Sequence, residues 1–134
     1  MPLAVTEAEL QKLLAETTFT RKYGFTLHSF ADGECTLRVP FQEEFERPGG
    51  IVGGQVFMTA ADVALWLAIK TRLGIEDGSV TAEMKTNFLG AARREEFLCR
   101  AKILKMGKRL IFGTAECSSD ARIFAYHTLT YIRP

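Results

Sequence analysis

Four side chains that could take part in chemistry share one face of a predicted helix. Gln55, Thr59, Asp62 and Trp66 are spaced i, i+4, i+7 and i+11, which places them in one stripe. They lie within the run from Ile51 to Ile69, in which Asp62 is the only charged residue. Because a carboxylate without partners is costly in apolar surroundings, a chain that keeps one there pairs it, neutralises it or uses it. Asp62 is therefore the first candidate for a catalytic or binding role.

Two glycine pairs open the same helix. Gly49 and Gly50 precede it, and Gly53 and Gly54 stand at its first turn, where the missing side chains let another group approach the backbone. The first turn of a helix has unpaired N–H donors and the positive end of the helix dipole, which suit an oxygen that gains negative charge. Together with Asp62, this pattern favours an oxyanion site. The structural alternative is a core helix whose aspartate is satisfied by a neighbouring arginine or backbone group.

The composition is that of an ordinary globular domain. The chain has 134 residues, which we take as one domain (1–134), with 47% hydrophobic and 25% charged residues. Seventeen basic and sixteen acidic residues give a net charge of +1, which provides no overall field to attract a nucleic acid. Cys35, Cys99 and Cys117 lie in strand-like runs without a C-x-x-C spacing, so we predict reduced, buried thiols and no metal site.

The sequence also sets expectations about location. Its first residues lack a basic region followed by an apolar run, so we expect no signal peptide. The run from Ile51 to Ile69 is long enough to span a bilayer, but its glycines and central Asp62 argue against that. We predict a cytoplasmic protein that needs no cofactor and binds neither membrane nor nucleic acid.

From the N terminus onward, the sequence predicts a short helix, two strands, the central helix and four more strands. Thr6 and Glu9 form a capping-box pattern before the short helix. Phe25 to Phe30 and Glu34 to Val39 are typical of strands joined by a tight turn. The central helix is predicted from about Gly54 to Arg72. The four remaining strand candidates are Val80 to Leu89, Phe97 to Lys105, Arg109 to Ser118 and Arg122 to Ile132. Their even spacing predicts an antiparallel meander.

The central helix also predicts the fold class. A helix that is apolar all round cannot bury its faces against a flat sheet, but it can do so if the sheet curls around it. We therefore predict an α+β fold with a strongly curved antiparallel sheet of five or six strands wrapped around one long central helix. This arrangement resembles the hotdog fold.

The helix and the strand after it carry a more specific resemblance. The run GGQVFMTAADVA from Gly53, followed by VTAEMKTNFL from Val80, is similar to the phenylacetate-pathway (PaaI-like) acyl-CoA thioesterases of the hotdog superfamily. The resemblance covers nearly the whole chain and implies hydrolysis of acyl-CoA thioesters. It implies Asp62 as the acid, the Gly54 N–H as an oxyanion-hole donor, and Thr81 at a position where relatives carry a serine or threonine hydroxyl.

The sequence departs from this family at several positions. The family opens the helix with His-Gly-Gly and carries the acid nine residues after the His, which places Gly53 at the His and Gln55 at the second glycine. The family's Asn, six residues before the His, falls on Arg47. The His and Asn side chains of the family are therefore both absent from this chain. The family's Phe-Leu-Arg-Pro is Phe88-Leu-Gly-Ala in this chain, so its arginine is displaced as well.

The chemistry of thioester hydrolysis predicts an oligomer. The reaction needs an oxyanion stabiliser and a base or nucleophile that brings oxygen to the carbonyl carbon, roles that suit Gly54 and Asp62. These residues are eight positions apart, which is about 12 Å along a helix, so one carbonyl cannot reach both. We therefore predict an obligate homodimer with two shared sites, in which the partner helix runs antiparallel, and expect it to pair into a dimer of dimers.

Further residues are predicted to contact the substrate. The candidates for an apolar slot that holds the acyl chain are Phe57, Met58, Trp66 and Phe88. The basic residues in or beside loops, where the CoA phosphates could bind, are Arg93, Arg94, Lys105, Lys108 and Arg109. Each also has a structural interpretation, as core or as solvated charge. The complete predicted substrate-binding set is Arg47, Gly53, Gln55, Thr59, Trp66, Phe88, Arg93, Lys108 and Arg109.

Two alternatives to a thioesterase remain open from the sequence. A hotdog dimer could hold an acyl thioester or a partner without turning it over, which the missing family His and Asn would favour. A hotdog hydratase or dehydratase would use a histidine with an acid at one site, but His28 and His127 are both distant from the central helix in sequence. We predict an exposed or edge position for His28 and a structural role for His127.

Overall fold

The long helix α3 is the element around which the rest of the fold is arranged. The computed structural model describes residues 2–134, and in it α3 runs from Gly54 to Leu73. Gly53 is the N-cap, with extended backbone, and Gly74 ends the helix with a φ of 97°, a left-handed value that favours glycine. The predicted helix is confirmed, one residue longer at its end. No helix within residues 2–134 is both long and apolar enough to cross a membrane.

The predicted first helix and the six predicted strands are present, and the structure adds a second short helix, a 3₁₀ turn and a small two-stranded ribbon that the prediction did not contain. The helical elements are α1 (Glu7–Glu16), α2 (Thr18–Arg21) and a 3₁₀ turn (Glu43–Phe45). The strands are β1 (Thr26–Ala31), β2 (Glu34–Val39), β3 (Glu46–Arg47), β4 (Ile51–Val52), β5 (Val80–Phe88), β6 (Phe97–Met106), β7 (Leu110–Ser119) and β8 (Arg122–Ile132). The predicted capping box of α1 is confirmed, since Thr6 and Glu9 each donate a backbone N–H to the other's side chain.

Six strands form one antiparallel sheet in the order β1-β2-β6-β7-β8-β5, and β3 and β4 form the separate ribbon. α3 contacts all six strands, so the α+β class with one central helix is confirmed. The predicted meander is only partly right. β6, β7 and β8 are consecutive neighbours, but β5 pairs with β8 at the far edge of the sheet.

The segment between β5 and β6 explains this difference. It crosses the start of α3, where the Leu89 N–H donates to the Phe124 carbonyl at 2.8 Å and the Val52 N–H donates to the Ala92 carbonyl at 2.9 Å. The even spacing of the strand candidates contains no information about such a crossover. β5 is therefore an edge strand, and its second edge has no partner within residues 2–134.

The covered side of α3 packs into an aromatic and aliphatic core. The Phe57 ring of the helix stacks on the Phe124 ring and makes a tilted contact with the Phe97 ring, with centroids 5.9 and 5.0 Å away. The opposite side of the helix is not covered. Its exposed or half-buried residues are Gln55, Met58, Thr59, Asp62 and Trp66, which we call the open stripe. The expectation of a helix buried on every face is wrong for this stripe, because the sheet encloses only the remaining faces.

A buried polar cluster lies where the sheet meets α3. His127 is fully buried, with Nδ1 2.8 Å from Thr86 Oγ1 and Nε2 3.7 Å from Cys117 Sγ. The Cys117 thiol also donates to the Phe57 carbonyl at 3.7 Å. His127 therefore has structural partners, as predicted. The cysteines Cys35, Cys99 and Cys117 are all buried and free.

Burial of His127 makes the stability of the fold depend on pH. Burial lowers the pKa of His127 from 6.5 to about 4, so between these values the unfolded chain binds a proton that the folded chain does not. Stability is therefore lost as the pH falls from 6.5 towards 4 and is unaffected above this window. We expect the parent protein to lose about 2 kcal/mol more than a His127→Gln variant between pH 7 and pH 5. Urea unfolding at both pH values measures this difference, and equal losses would contradict it.

Candidate active site

Two hydroxyl groups hold the carboxylate of Asp62 at the centre of the open stripe. Thr81 Oγ1 donates to Asp62 Oδ1 at 2.6 Å, and Tyr131 OH donates to the same oxygen at 2.7 Å. Tyr131 OH also lies 2.9 Å from the backbone carbonyl oxygen of Asp62. Since both donors bind Oδ1, Oδ2 accepts no hydrogen bond from residues 2–134.

The sheet places both hydroxyls opposite the helix. Thr81 of β5 and Tyr131 of β8 are register partners, and a bulge follows Thr81, between it and Glu83. Tyr131 is only 2% exposed. Its burial, and secondly the nearby Asp62 carboxylate, raise the pKa of Tyr131, so its hydroxyl remains a donor at neutral pH.

Among residues 2–134, no cation lies beside the Asp62 carboxylate. The ion pairs formed by residues 2–134 join Arg38 to Glu96, Arg72 to Asp32, Arg94 to Glu46 and Arg122 to Glu95. The structural alternative raised from the sequence, an arginine that pairs with Asp62, is therefore not realised in the part of the chain described. A half-buried carboxylate that is oriented by hydroxyls but not neutralised can still accept a proton or attack an electrophile.

A groove of about 280 Å³ opens beside Asp62. Val63, Trp66 and Val80 provide apolar walls, and Phe19 of α2, which is 70% exposed, lies next to them. Asp62, Thr81 and Tyr131 reach the same space. The groove therefore combines an apolar lining with one oriented carboxylate, which is the usual chemistry of a small-molecule site.

The N terminus of α3 forms a second candidate feature. Gly54 and Gln55 are the first helical residues, so no carbonyl one turn before accepts from them, and neither N–H donates to another group of residues 2–134. A Cβ atom on Gly54 would lie 2.9 Å from Phe88 Cε1, so the Phe88 ring packs directly against this glycine. The Gly53 N–H is occupied, because it donates to the Phe45 carbonyl at 2.8 Å.

The two features lie apart in a single chain. Gly54 begins α3 and Asp62 follows two turns later on the same rigid helix, which separates them by about 12 Å. Trp66 lies with Asp62 at the groove, whereas Phe88 lies with Gly54. Within a single chain, one carbonyl group therefore cannot reach both features.

The predicted basic residues also divide into two groups. The Lys108–Arg109 turn, with Lys105 before it, lies at the sheet end where Leu110, Ile132 and Val80 are register neighbours. Arg93 and Arg94 lie in the crossover segment at the opposite end. Arg93 Nη1 donates to the Gly49 carbonyl at 3.0 Å and Arg94 Nη2 contacts Glu46 Oε1 at 3.1 Å. Lys108 and Arg109 are exposed and belong to none of the ion pairs of residues 2–134.

The other predicted site residues have mixed placements. Phe57 is 3% exposed and belongs to the core, so it cannot line a surface slot as it stands. Met58 is exposed on the open stripe, and Thr59 Oγ1 donates back to the Gln55 carbonyl at 2.9 Å. Arg47 is exposed on β3, away from Asp62 in the chain, and His28 is exposed on β1, as predicted.

Sequence reasoning missed five of the eight residues that line the groove, among them Tyr131 and Phe19. The sequence pattern of β8 could have identified Tyr131. It follows Ala125, His127 and Leu129 at every second position, so its hydroxyl lies on the same inward face as these buried residues. No sequence pattern could have identified Phe19, since it lies in the four-residue helix α2 between α1 and β1, where the sequence shows no periodicity.

Comparison with known proteins places the chain in a family. Residues 49–122 match the family model described as Thioesterase superfamily. A candidate esterase of Saccharolobus solfataricus is 33% identical over 104 residues, which cover 78% of this chain and 69% of that relative. Among solved structures, a candidate thioesterase from Silicibacter sp. has a TM-score of 0.88 at 29% identity, covering 100% of this chain and 95% of that one.

A mutant of the phenylacetic acid degradation protein PaaI from Thermus thermophilus shares the same fold. Its TM-score is 0.79 at 20% identity, and the match covers 87% of this chain and 98% of that one. This likeness confirms the predicted hotdog fold. The chain belongs to the Thioesterase superfamily and has the hotdog fold, with α3 as its central helix.

Proposed function

We propose that the protein is a cytoplasmic acyl-CoA thioesterase that hydrolyses a thioester to a free acid and CoA at two sites shared across a homodimer. Membership of the Thioesterase superfamily supports thioester hydrolysis in general. The observation that carries the finer proposal is the Asp62 carboxylate, which two hydroxyls orient, no cation within residues 2–134 neutralises, and an apolar groove adjoins.

Two neighbouring unpartnered features support the dimer. β5 pairs with β8 along one edge only, and seven of its nine residues are exposed. A long open edge strand is a liability that native proteins cover. The open stripe of α3 lies beside this strand, since Thr81 of β5 contacts Asp62. A second copy that packs its α3 antiparallel against the stripe covers both features and brings Gly54 of the partner subunit to Asp62.

The chemistry follows from this pairing. The thioester carbonyl oxygen accepts hydrogen bonds from the N–H groups at the start of the partner helix, which stabilise the oxyanion of the tetrahedral intermediate. In one route Asp62 Oδ2 takes a proton from water, the hydroxide attacks the carbonyl carbon, and the intermediate expels the CoA thiolate. In the other, Oδ2 attacks the carbon itself, the thiolate leaves, and water hydrolyses the resulting anhydride.

The groove supports a compact acyl group. Val63, Trp66 and Val80 offer an apolar lining for a short, medium or aromatic acyl chain. The Lys108–Arg109 turn lies at the same end of the sheet as Val80, and its charges are free, so we place the CoA phosphates there rather than at Arg93 and Arg94.

The outer face of the sheet supports a further level of assembly. Ile132 and Leu110 are register neighbours on the adjacent strands β8 and β7, and they are 38% and 55% exposed. Leu104 and Phe112 extend this apolar patch at 52% and 40% exposure. Because exposed apolar patches mark interaction sites, we propose that two dimers pair through it. Light scattering of the parent protein and of a Leu110→Lys variant would measure the assembly.

One observation favours a second candidate, a hotdog dimer that binds an acyl thioester without hydrolysing it. Gly53 stands where the PaaI-like family carries its His, and its N–H is already bonded to the Phe45 carbonyl. Arg47 stands where that family carries an Asn. A binding module would take up acyl-CoA in a titration but release no thiol.

Thiol release from a panel of short, medium and aromatic acyl-CoAs tests the proposal, with the matching acyl-pantetheines beside them. We expect turnover of compact acyl groups. A Lys108→Ala, Arg109→Ala double variant should raise KM roughly tenfold for acyl-CoA, because two exposed ionic contacts are lost. KM for acyl-pantetheine, which lacks the nucleotide phosphates, should be unchanged. No thiol release from any member of the panel would overturn the thioesterase and favour the binding module.

A further inference from the structure

The hydrogen bonds of Asp62 are strongly one-sided. Thr81 and Tyr131 both donate to Oδ1, at 2.6 and 2.7 Å, and nothing in residues 2–134 donates to Oδ2. We infer that Tyr131 is a positioning residue, which fixes the Asp62 side chain so that Oδ2 is the oxygen presented to the substrate. This inference rests on the proposed function and deepens it.

Tyr131 is suited to this task by where its hydroxyl lies. The oxygen is within hydrogen-bonding distance of both the side chain and the backbone carbonyl of Asp62, at 2.7 and 2.9 Å. The single hydroxyl proton is shared between these two acceptors, and a donor placed between them restricts the rotation of the Asp62 side chain. Tyr131 is 2% exposed and lies on an interior strand between β7 and β5, so its ring cannot swing away.

Thr81 cannot replace Tyr131 as the anchor. Thr81 is exposed and belongs to the edge strand β5, beside a bulge. Thr81 contacts only the Asp62 side chain, at Oδ1, whereas Tyr131 lies within hydrogen-bonding distance of both the side chain and the backbone carbonyl oxygen of Asp62. The two donors therefore have different parts: Tyr131 sets the orientation of the carboxylate, and Thr81 adds a second donor to the oxygen that faces the sheet.

Orientation matters because only one oxygen has its lone pairs free. Two hydroxyl donors draw negative charge towards Oδ1, and Oδ2 remains available to accept a proton or attack carbon. Misplacement of a reacting group by about 1 Å can cost on the order of 100-fold in rate. Loss of the Tyr131 hydroxyl should therefore affect turnover more than substrate binding.

Steady-state kinetics of a Tyr131→Phe variant test the inference. We expect kcat to fall about 10-fold to 100-fold, the range for one lost hydrogen bond to a charged group, with KM changed less than about twofold. Tyr126→Phe is the matched control, since Tyr126 lies on the same strand but is 39% exposed, and it should leave kcat unchanged. In an Asp62→Asn background, Tyr131→Phe should have no further effect on the residual rate.

If the Tyr131 hydroxyl only stabilised the fold, the variants would show a different pattern of stability and rate. Tyr131→Phe would then lower the melting temperature and reduce the rate equally in the parent and Asp62→Asn backgrounds, and that result overturns the inference. A crystal structure of the variant provides a readout that needs no activity. We expect the Asp62 carboxylate to rotate or occupy two conformers, and an unmoved carboxylate would also overturn the inference. If the parent protein releases no thiol, the proposed function fails, and the crystal structure still decides the role of Tyr131.

Discussion

An Asp62→Asn variant is expected to hydrolyse acyl-CoA about 10³-fold more slowly than the parent protein while remaining folded. The amide has nearly the shape of the carboxylate, and its oxygen can still accept from Thr81 Oγ1 and Tyr131 OH, which lie 2.6 and 2.7 Å from Asp62 Oδ1. Its nitrogen replaces Oδ2, however, and can neither take a proton from water nor attack the carbonyl carbon. The effect should appear in kcat, measured by thiol release at saturating substrate.

Asp120→Asn is the matched control for this substitution. Asp120 is exposed in the turn between β7 and β8, with a φ of 53°, and asparagine tolerates this left-handed backbone as well as aspartate does. Its kcat and thermal unfolding should equal those of the parent protein. If Asp62→Asn also released thiol at the parental rate, Asp62 would be neither base nor nucleophile, and the proposed mechanism would be wrong.

The sequence was most informative where a feature is local. The limits of α3 could be predicted because an apolar run is bounded by Gly53 and Gly74, which act within one turn of the helix. The capping box at Thr6 and Glu9 was confirmed for the same reason. Thr81 was identified as a site residue only by family resemblance, and the structure places its hydroxyl against the Asp62 carboxylate.

Features that depend on distant parts of the chain could not be predicted. Even spacing identified β5 to β8 as strands, but the choice of β8 rather than β6 as the neighbour of β5 depends on the crossover segment. Tyr131 lies 69 residues from Asp62, and no local pattern joins them. The stripe itself was predicted from the spacing of its polar residues and Trp66, but the partial exposure of Met58 and Trp66 in a single chain was not, since both are apolar. Their exposure in one chain is explained if a second copy covers them.

A Gly54→Pro variant is expected to reduce kcat about 10²-fold to 10³-fold, the usual cost of one lost oxyanion donor. Gly54 is the first helical residue, where the missing N–H of proline breaks no helical hydrogen bond. Gly53 has a φ of −66° and a ψ of 144°, which is the extended backbone that a residue before proline prefers. The substitution therefore removes one donor from the proposed oxyanion hole without breaking the helix.

Gly54→Ala separates the lost donor from steric effects. A Cβ atom at this position would lie 2.9 Å from Phe88 Cε1, so proline and alanine both press on the Phe88 ring. Alanine keeps the N–H. The ratio of kcat between the two variants therefore reports on the donor itself. Equal kcat values would show that the Gly54 N–H takes no part in the reaction.

Mixed dimers of Gly54→Pro and Asp62→Asn subunits test whether the two half-sites belong to different chains. Each variant alone carries only defective sites. If Gly54 of one subunit serves Asp62 of its partner, each mixed dimer contains one intact site and one doubly defective site. Random pairing of equal amounts then restores about a quarter of the parental activity. Refolding the two variants together, with a different affinity tag on each, allows the mixed dimer to be isolated and assayed. A site contained within one chain would leave every site of the mixed dimer defective, so activity that does not rise on mixing would refute the shared site and the antiparallel helix pairing that it requires.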